Sequence, residues 1–562
     1  MSASVPWWRD AVVYQVYVRS FADADGDGVG DLAGLRARLD HIAGLGVDAI
    51  WLNPCYPSPQ ADHGYDIADY TDIDPAYGGL DAFDALLKEI RSRGLRLLLD
   101  LVPNHCSDRH PWFVAAVAAA PGSPERARFH FADGLGDDGS DPPNNWQSVF
   151  GGPAWSRITE PDGRPGQWYL HLFDVSQPDF NWENPEVAEY FDDVLRFWFD
   201  RGVDGFRIDV GHGMAKHAEL ADWPDPDKYN EHMFNRPEVH TVHRRWRALI
   251  DSYLPGRELT LVGEVWVPEV ADLAAYLRPD ELSQAFFFDL LAQPWDVDGI
   301  RAAIDAGLAN IAAADATVAW VLSNHDVHRT VTRYGQNHPR KPEGYRDPIE
   351  VARFRGPVDV ELGRTRARAG ILLLLALPGS VFLYQGEELG LPEVMEMPDN
   401  ARQDPIWRRS GYTKEGRDGS RVPLPWQAGA PSFGFSLDNG PGGPVQPWLP
   451  QPDWFAEYAV DRQDADPGSM LELYRRAIAA RRAVWLAGTA PTWDVVPARD
   501  DVLVLVRGDA RAVVVFGTEP VELPAEWGEV VIASAPVTGR SLPGNAAAWL
   551  HPQGTPTVRR TG

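Results

Sequence analysis

Asp204-Gly205-Phe206-Arg207-Ile208-Asp209-Val210 reads as a short strand near the middle of a chain of 562 residues. Side chains alternate along a strand, so Phe206, Ile208 and Val210 share one face while Gly205, Arg207 and Asp209 share the other. A cation and a carboxylate on the same side of an apolar strand are costly to bury unless each has partners. Two explanations stand at this point: a structural ion pair at a strand end, or an active site that keeps the pair for its chemistry.

Around this strand, short β-rich apolar runs alternate with amphipathic helical stretches. Val12 to Val18, Ala49 to Leu52 and Leu95 to Val102 read as strands, with Leu32, Leu35, Leu39 and Ile42 at helical spacing after the first. Phe83, Leu86, Leu87 and Ile90 mark a helix after the second, ended by Gly94. Residues 103–182 break the pattern with Pro-, Gly-, Asn- and Trp-rich sequence, too long for a loop and better read as a small inserted domain. Pro185 then opens a helix that Gly202 closes before the central strand. Further strands are expected at Thr260 to Trp266, Ala285 to Asp289, Val318 to Ser323 and Val381 to Tyr384, which makes eight. Eight strands with intervening helices predict an α/β chain folded as a (β/α)8 TIM barrel, with chemistry at the C-terminal strand ends. After a helix around Met470 to Arg482, Val502 to Val506 and Ala512 to Phe516 flank Gly508-Asp509, a hairpin signal. The expected division is a barrel of residues 1–102 and 183–486, an inserted domain of residues 103–182, and a C-terminal antiparallel β-sandwich of residues 487–562.

Composition narrows the partners. Asp plus Glu outnumber Lys plus Arg by 81 to 52, a net charge of -29, which argues against nucleic acid or an anionic membrane surface. The N-terminal residues show neither a basic start nor a long apolar run, so a cytoplasmic location is expected. Ile371 to Leu377 is the longest apolar run, far short of the about 20 residues a membrane span needs, and reads as a buried helix. Cys55 and Cys106 are the only cysteines; reduced thiols are the default, with a bond between them left open.

Polar residues gather at the predicted strand ends: Asp100, Asn104 and His105 after the third, Arg207 and Asp209 at the fourth, Glu264 at the fifth, Asn324-His325-Asp326 at the seventh. Carboxylates on several strands aimed at one mouth suit a reaction needing a nucleophile, a protonated acid and a further negative charge. Separately, Asp23, Asp25, Asp27, Val29 and Asp31 place acidic side chains and a carbonyl at alternate positions among glycines, a pattern suited to Ca²⁺. It is not an EF-hand, because the twelfth position is Gly34; a metal-free turn stabilised by Asp side chains is the alternative.

With Asp100-Leu-Val-Pro-Asn104-His105, Gly205-Phe-Arg207-Ile-Asp209, Gly263-Glu264-Val-Trp266 and Ser323-Asn-His325-Asp326 in this order, the chain resembles the α-amylase family, glycoside hydrolase family 13. Asn144-Asn145-Trp146, Phe150-Gly151-Gly152, Trp168-Tyr169-Leu170-His171 and Gln177-Pro178-Asp179-Phe180-Asn181 resemble its α-glucosidase and oligo-1,6-glucosidase branch more than the endo-acting amylases.

The resemblance implies Asp209 as nucleophile, Glu264 as general acid/base and Asp326 as the carboxylate that stabilises the transition state. Arg207 would then hold Asp209 ionised. By the same resemblance His105 and His325 bind sugar hydroxyls, Tyr65 stacks on the terminal glucose, Arg421 pairs with Asp62 to close the pocket, and Phe173 and Gln177 line the cleft. Relatives carry calcium in a loop like Asp23 to Asp31, and no organic cofactor is implied. The expected activity is an exo-acting, retaining α-glucosidase on short oligosaccharides. A transglucosylase or a trehalose-forming isomerase is the alternative within enzymes, and a non-catalytic binding relative the alternative outside them. Val210 implies tolerance of α-1,6 bonds, but Gly211-His212-Gly213 departs from the Asn-containing continuation of the oligo-1,6-glucosidases, leaving α-1,4 bonds as the expected main target.

Overall fold

The computed structural model describes residues 5–226, 228–314, 316–337, 352–437, 445–485 and 490–552. Eight parallel strands close a barrel: β1 (Val12–Val16), β2 (Ala49–Leu52), β3 (Arg96–Leu101), β4 (Gly205–Ile208), β5 (Thr260–Gly263), β6 (Gln284–Phe286), β7 (Thr317–Val321) and β8 (Ser380–Tyr384). Each strand pairs with its sequence neighbours, and β1 pairs with β8 to close the ring. Period two holds throughout. Val13, Ala49, Trp51, Leu98, Val262, Phe286, Ala319, Val321 and Phe382 pack inside the barrel. Val12, Tyr14, Ile50, Leu97, Leu99, Phe206 and Ile208 pack outward against the helices. On β4 this leaves Gly205 and Arg207 pointing inward, as the alternation required. A Cβ on Gly205 would lie 2.5 Å from the Thr260 carbonyl oxygen, so only glycine permits the approach of β4 to β5.

Several expected elements are shorter or broken. The first strand stops at Val16, before a 3-10 turn at Val18–Ser20. The first helical stretch is two helices, Leu32–Ala37 and Leu39–Leu45, parted at Arg38 with φ -110° and ψ 8°. The sixth strand is Gln284–Phe286; Phe288 and Asp289, expected in it, start a helix at Phe288–Leu291. Val210 leaves the strand altogether, with φ 44°, and faces the cavity rather than continuing the Phe206 and Ile208 row.

The inserted region after β3 carries a helix, Pro111–Ala118, and a three-stranded antiparallel sheet of Phe131–Ala132, Pro165–Leu170 and Trp155–Thr159. Its core of Trp146, Trp155, Leu170 and Leu172 is separate from the barrel's. Helix Pro185–Arg201 returns the chain, capped by the Asn184 side chain and stopped by Gly202. Helix Val360–Ala376 holds the long apolar run, buried from Ala369 to Ala376.

The C-terminal region forms a five-stranded antiparallel sheet, ordered Thr492–Val496, Arg499–Arg507, Ala510–Val515, Ala547–His551, Glu529–Ala533, and a two-stranded sheet. One face buries Val502, Val504, Val513 and Leu550 against Leu523 and Trp527. The other places Leu505, Val514 and Trp549 on the barrel, where Trp549 Nε1 donates to the Leu372 carbonyl at 3.0 Å. The expected boundary near residue 487 lies outside the described residues.

Candidate active site

Strands β3, β4, β5 and β7 deliver their polar residues to one cavity of about 580 Å³ at the C-terminal mouth of the barrel. Asp209, Glu264 and Asp326 all line it, together with Asp62, Tyr65, His105 and Phe173.

Its floor is one guanidinium shared by three carboxylates. Arg207 Nη1 contacts Asp100 Oδ1 at 2.9 Å and Asp209 Oδ1 at 2.5 Å, and Nη2 contacts Glu264 Oε2 at 2.6 Å. Three buried anions around one cation cannot all be ionised cheaply. Burial pushes Asp100 up to about 6 and pushes Asp209 well above the ordinary carboxylate range, with Arg207 pulling both down. The expectation that Arg207 simply holds Asp209 ionised is therefore half of the balance: desolvation by burial is the larger force. Glu264 Oε2 also accepts from the Val210 backbone N–H at 3.1 Å, and Oε1 accepts from Trp266 Nε1 at 2.9 Å.

Asp326 has the opposite balance. Burial would raise it, but contacts with His325, Arg417, Arg421 and Arg353 hold it well below the ordinary range. His325 is itself kept neutral by burial, so the three guanidiniums carry that effect. His325 Nε2 bonds the Tyr65 hydroxyl at 2.7 Å, and the two rings stack at 5.4 Å and 4°. Tyr65 OH donates to Asp100 Oδ2 at 3.0 Å, tying this wall to the floor.

The pocket is closed by Arg417, not Arg421. Arg417 Nη2 meets Asp62 Oδ1 at 2.5 Å, Nε meets Asp404 Oδ2 at 2.6 Å, and Nη1 meets Asp326 Oδ1 at 3.2 Å. Arg421 donates from Nη2 to Asp326 Oδ1 at 2.8 Å and from Nε to the His325 carbonyl at 2.9 Å. The short 3-10 turn Asp418–Ser420 separates the two arginines, sending Arg421 beneath the His325-Asp326 turn and leaving Arg417 at the cavity wall. The identity of the Asp62 partner is thus a correction to the sequence expectation. Burial pushes Asp62 up to about 6 against the pull of Arg417, which it shares with Asp404 and Asp326.

From the insert, Gln177 Nε2 lies 3.2 Å from Asp62 Oδ2 and 3.1 Å from His105 Nε2, and the Phe173 ring sits 5.0 Å from His105. His105 is pushed down to about 4 by burial, so its ring is neutral. Asn104 donates to His105 Nδ1 at 3.1 Å and to Asp179 at 3.0 Å, while accepting from the buried ammonium of Lys216 at 2.7 Å. Sequence reasoning missed Lys216, Asp404 and the outer wall of His212, Tyr229, Phe234 and Trp266. Trp266 and His212 stood inside quoted stretches without a role assigned to them; the others carried no local signal, since only the fold brings residues this far apart together.

The Asp23 to Asp31 loop lies away from this cavity. Carboxylate oxygens of Asp23, Asp25 and Asp27 come within 4.8 Å of one another. Asp31 is not in that group: it caps helix Leu32–Ala37 through Gly34 N at 2.7 Å and accepts from Ala24 N at 2.8 Å. Val29 donates its N–H to Asp27 at 2.7 Å. Cys55 and Cys106 are both buried and unbridged.

A barrel with three carboxylates at its mouth and an insert after β3 defines a class of glycoside-processing enzymes, and the comparisons agree. The "Alpha amylase, catalytic domain" family model matches residues 15–487, and the chain belongs to this family. It is 39% identical to a "Probable alpha-glucosidase" of Rhizobium meliloti (strain 1021) over 85% of this chain and 83% of that protein. It is 33% identical to an "Oligo-1,6-glucosidase" of Heyndrickxia coagulans over 85% of each. The crystal structure of an "alpha-glucosyl transfer enzyme, XgtA" superposes with TM-score 0.82 at 36% identity, covering 97% of this chain and 99% of the other.

Proposed function

We propose that this protein is an exo-acting, retaining α-glucosidase that removes terminal α-linked glucose from short oligosaccharides. The observation that carries the reading is Arg207 bonding Asp209 and Glu264 at 2.5 and 2.6 Å. One guanidinium gripping both carboxyls favours the separation of about 5 Å used in double displacement over the about 6.5–9.5 Å that inversion needs. Asp209 attacks the anomeric carbon and forms a glucosyl ester while Glu264 gives its proton to the departing oxygen. Glu264 then deprotonates the water that opens the ester. Asp326, held well below the ordinary carboxylate range by the arginines around it, stabilises the positive charge on the sugar ring in both steps.

Arg417 and Asp62 block the cavity behind one sugar, so chains extend only outward. Glucose in the α form is the expected first product from maltotriose and longer chains. Early maltose from maltohexaose, or β-glucose in the first minutes, overturns the reading. A second reading, transfer of the same glucosyl group to a sugar hydroxyl, is favoured by the aromatic outer wall of Tyr229, Phe234 and Trp266, a stacking surface for an acceptor. Product analysis at high maltose separates the two.

We also propose Ca²⁺ at Asp23, Asp25 and Asp27. Three convergent hard oxygen donors fit this ion, and burial together with its acidic neighbours raises Asp25 in a way a bound cation relieves. The role is structural: chelator should lower the Tm and added calcium restore it. No shift, with no calcium by metal analysis, leaves a turn held by Asp side chains. Among the described residues no helix is long and apolar enough to cross a membrane. The two unbridged thiols suit a reducing, cytoplasmic location.

A further inference from the structure

Glu264 is held at both oxygens, but by unlike partners. Oε2 lies on the floor between Arg207 Nη2 at 2.6 Å and the Val210 N–H at 3.1 Å, which leaves little room for a substrate atom. Among the described residues Oε1 has one protein donor, the indole N–H of Trp266 at 2.9 Å. Oε1 is therefore the oxygen left to meet the leaving group.

Trp266 is itself clamped. Its ring lies parallel to Phe288 at 3.8 Å and 8°, on the first residue of the helix after β6, and its carbonyl accepts from Tyr229 OH at 3.3 Å. The indole nitrogen can only donate, so the direction of this bond is fixed in every protonation state of Glu264.

We propose that Trp266 is a positioning residue for proton transfer, its N–H orienting Glu264 Oε1 and strengthening its hold as carboxylate charge develops there. This rests on the α-glucosidase reading above. In the first step the C1–O bond breaks, its electron pair goes to the glycosidic oxygen, and the proton on Glu264 moves to that oxygen. Oε1 changes from a neutral to a charged acceptor at that moment. A donor bonds a carboxylate more strongly than a carboxylic acid, so the Trp266 bond is worth more in the transition state than before it. It makes Glu264 the stronger acid.

Other groups facing Glu264 set the background. Arg207 is the cation beneath it; Asp209, just past the end of β4, and Asp100 on β3 are the neighbouring carboxyl groups, both raised by burial. The His212 ring bonds its backbone carbonyl and stays neutral, pushed down to about 3 by burial. Asp326, His328 and Arg353 share the cavity lining with Glu264, and the apolar Phe288 stacks on Trp266.

Trp266→Phe keeps an aromatic ring beside Phe288 but removes the indole N–H together with its five-membered ring. A donor to the charged form lowers an acid's pKa, so its loss raises it. Because kcat/KM needs Glu264 protonated in the free enzyme, the alkaline limb should move up by about one pH unit. Maltose, a poor leaving group, should lose about tenfold in kcat/KM, and 4-nitrophenyl α-glucoside no more than about threefold. If the Phe variant is unstable by Tm, benzothienylalanine at position 266 replaces N–H by sulfur in a ring of the same shape and should give the same result. An unmoved or lowered alkaline limb, or equal losses on both substrates, overturns the proposal. The two levels of inference fail differently. Wild-type inactivity on both glucosides overturns the functional reading and this proposal together, whereas wild-type activity with an unmoved limb overturns Trp266 alone.

Discussion

The inner wall of the cavity is locked by charge, while its outer wall is built from ring faces. Arg417 reaches three carboxylates, Asp62, Asp404 and Asp326, and Arg421 pins Asp326 from below. Opposite them, His212 stacks on Phe234 at 5.1 Å and 27°, and Trp266 on Phe288. Fixed charges and forked donors accept one arrangement of hydroxyls, whereas ring faces accept any sugar that can lie flat. One scaffold can thus grip a single glucose rigidly and leave the group beyond it loosely specified, which fits a family neighbourhood containing both glucosidases and a glucosyl transfer enzyme.

The largest effect should come from the floor both walls share. Asp209→Asn preserves shape but cannot form the glucosyl ester, so the folded variant should keep less than about one per cent of turnover on every substrate. Turnover above a few per cent in the purified protein would move the nucleophile elsewhere and dissolve the division into two walls around it.

Next comes the lock itself. Arg417→Met leaves Asp62 and Asp404 buried without their forked partner, and truncating one side of a buried pair costs about 3–5 kcal/mol. The Tm should fall, and kcat/KM should drop about 100-fold or more, by a similar factor for maltose, isomaltose and 4-nitrophenyl α-glucoside, because the lost contact belongs to the glucose they share. Arg417→Lys should not rescue it, since a point ammonium cannot span three carboxylates. A loss that varied strongly with the leaving group would place Arg417 on the outer side and break the comparison.

These walls were unequally legible in the sequence. The barrel followed from period-two runs and helix stops, because strand alternation and glycine caps are local signals; Phe206 and Ile208 out, Arg207 in, is that rule at work. The carboxylates followed from strand ends and motif order. The Arg417 and Arg421 exchange did not, because two arginines four residues apart differ only in how the turn between them directs each side chain. Nor did the outer wall. His212, Tyr229 and Phe234 come from the long connection between β4 and helix Val239–Asp251, whose path has no periodicity to read. Val210 was misassigned for a related reason: its left-handed φ of 44° breaks the strand pattern where a β-branched residue gives no warning.

That residue supplies the smallest prediction and the finest test of the outer wall. Val210 lines the cavity directly after Asp209, and its N–H holds Glu264 Oε2 at 3.1 Å. A β-branched side chain at positive φ is strained, by about 1–3 kcal/mol for such positions, and the surrounding contacts must hold it there. Val210→Ala keeps the N–H, relieves part of the strain and removes two methyl groups from the cavity lining. The catalytic floor should survive, so kcat on 4-nitrophenyl α-glucoside should change about threefold at most. The ratio of isomaltose to maltose in kcat/KM should shift by about tenfold or less, the scale of one or two methyl groups in a pocket. It should shift toward maltose, since the resemblance ties Val at this position to α-1,6 bonds. An unchanged ratio would assign linkage choice to the ring faces of Phe234, Tyr229 and His212 instead, and would make the outer wall looser still than its stacked geometry implies.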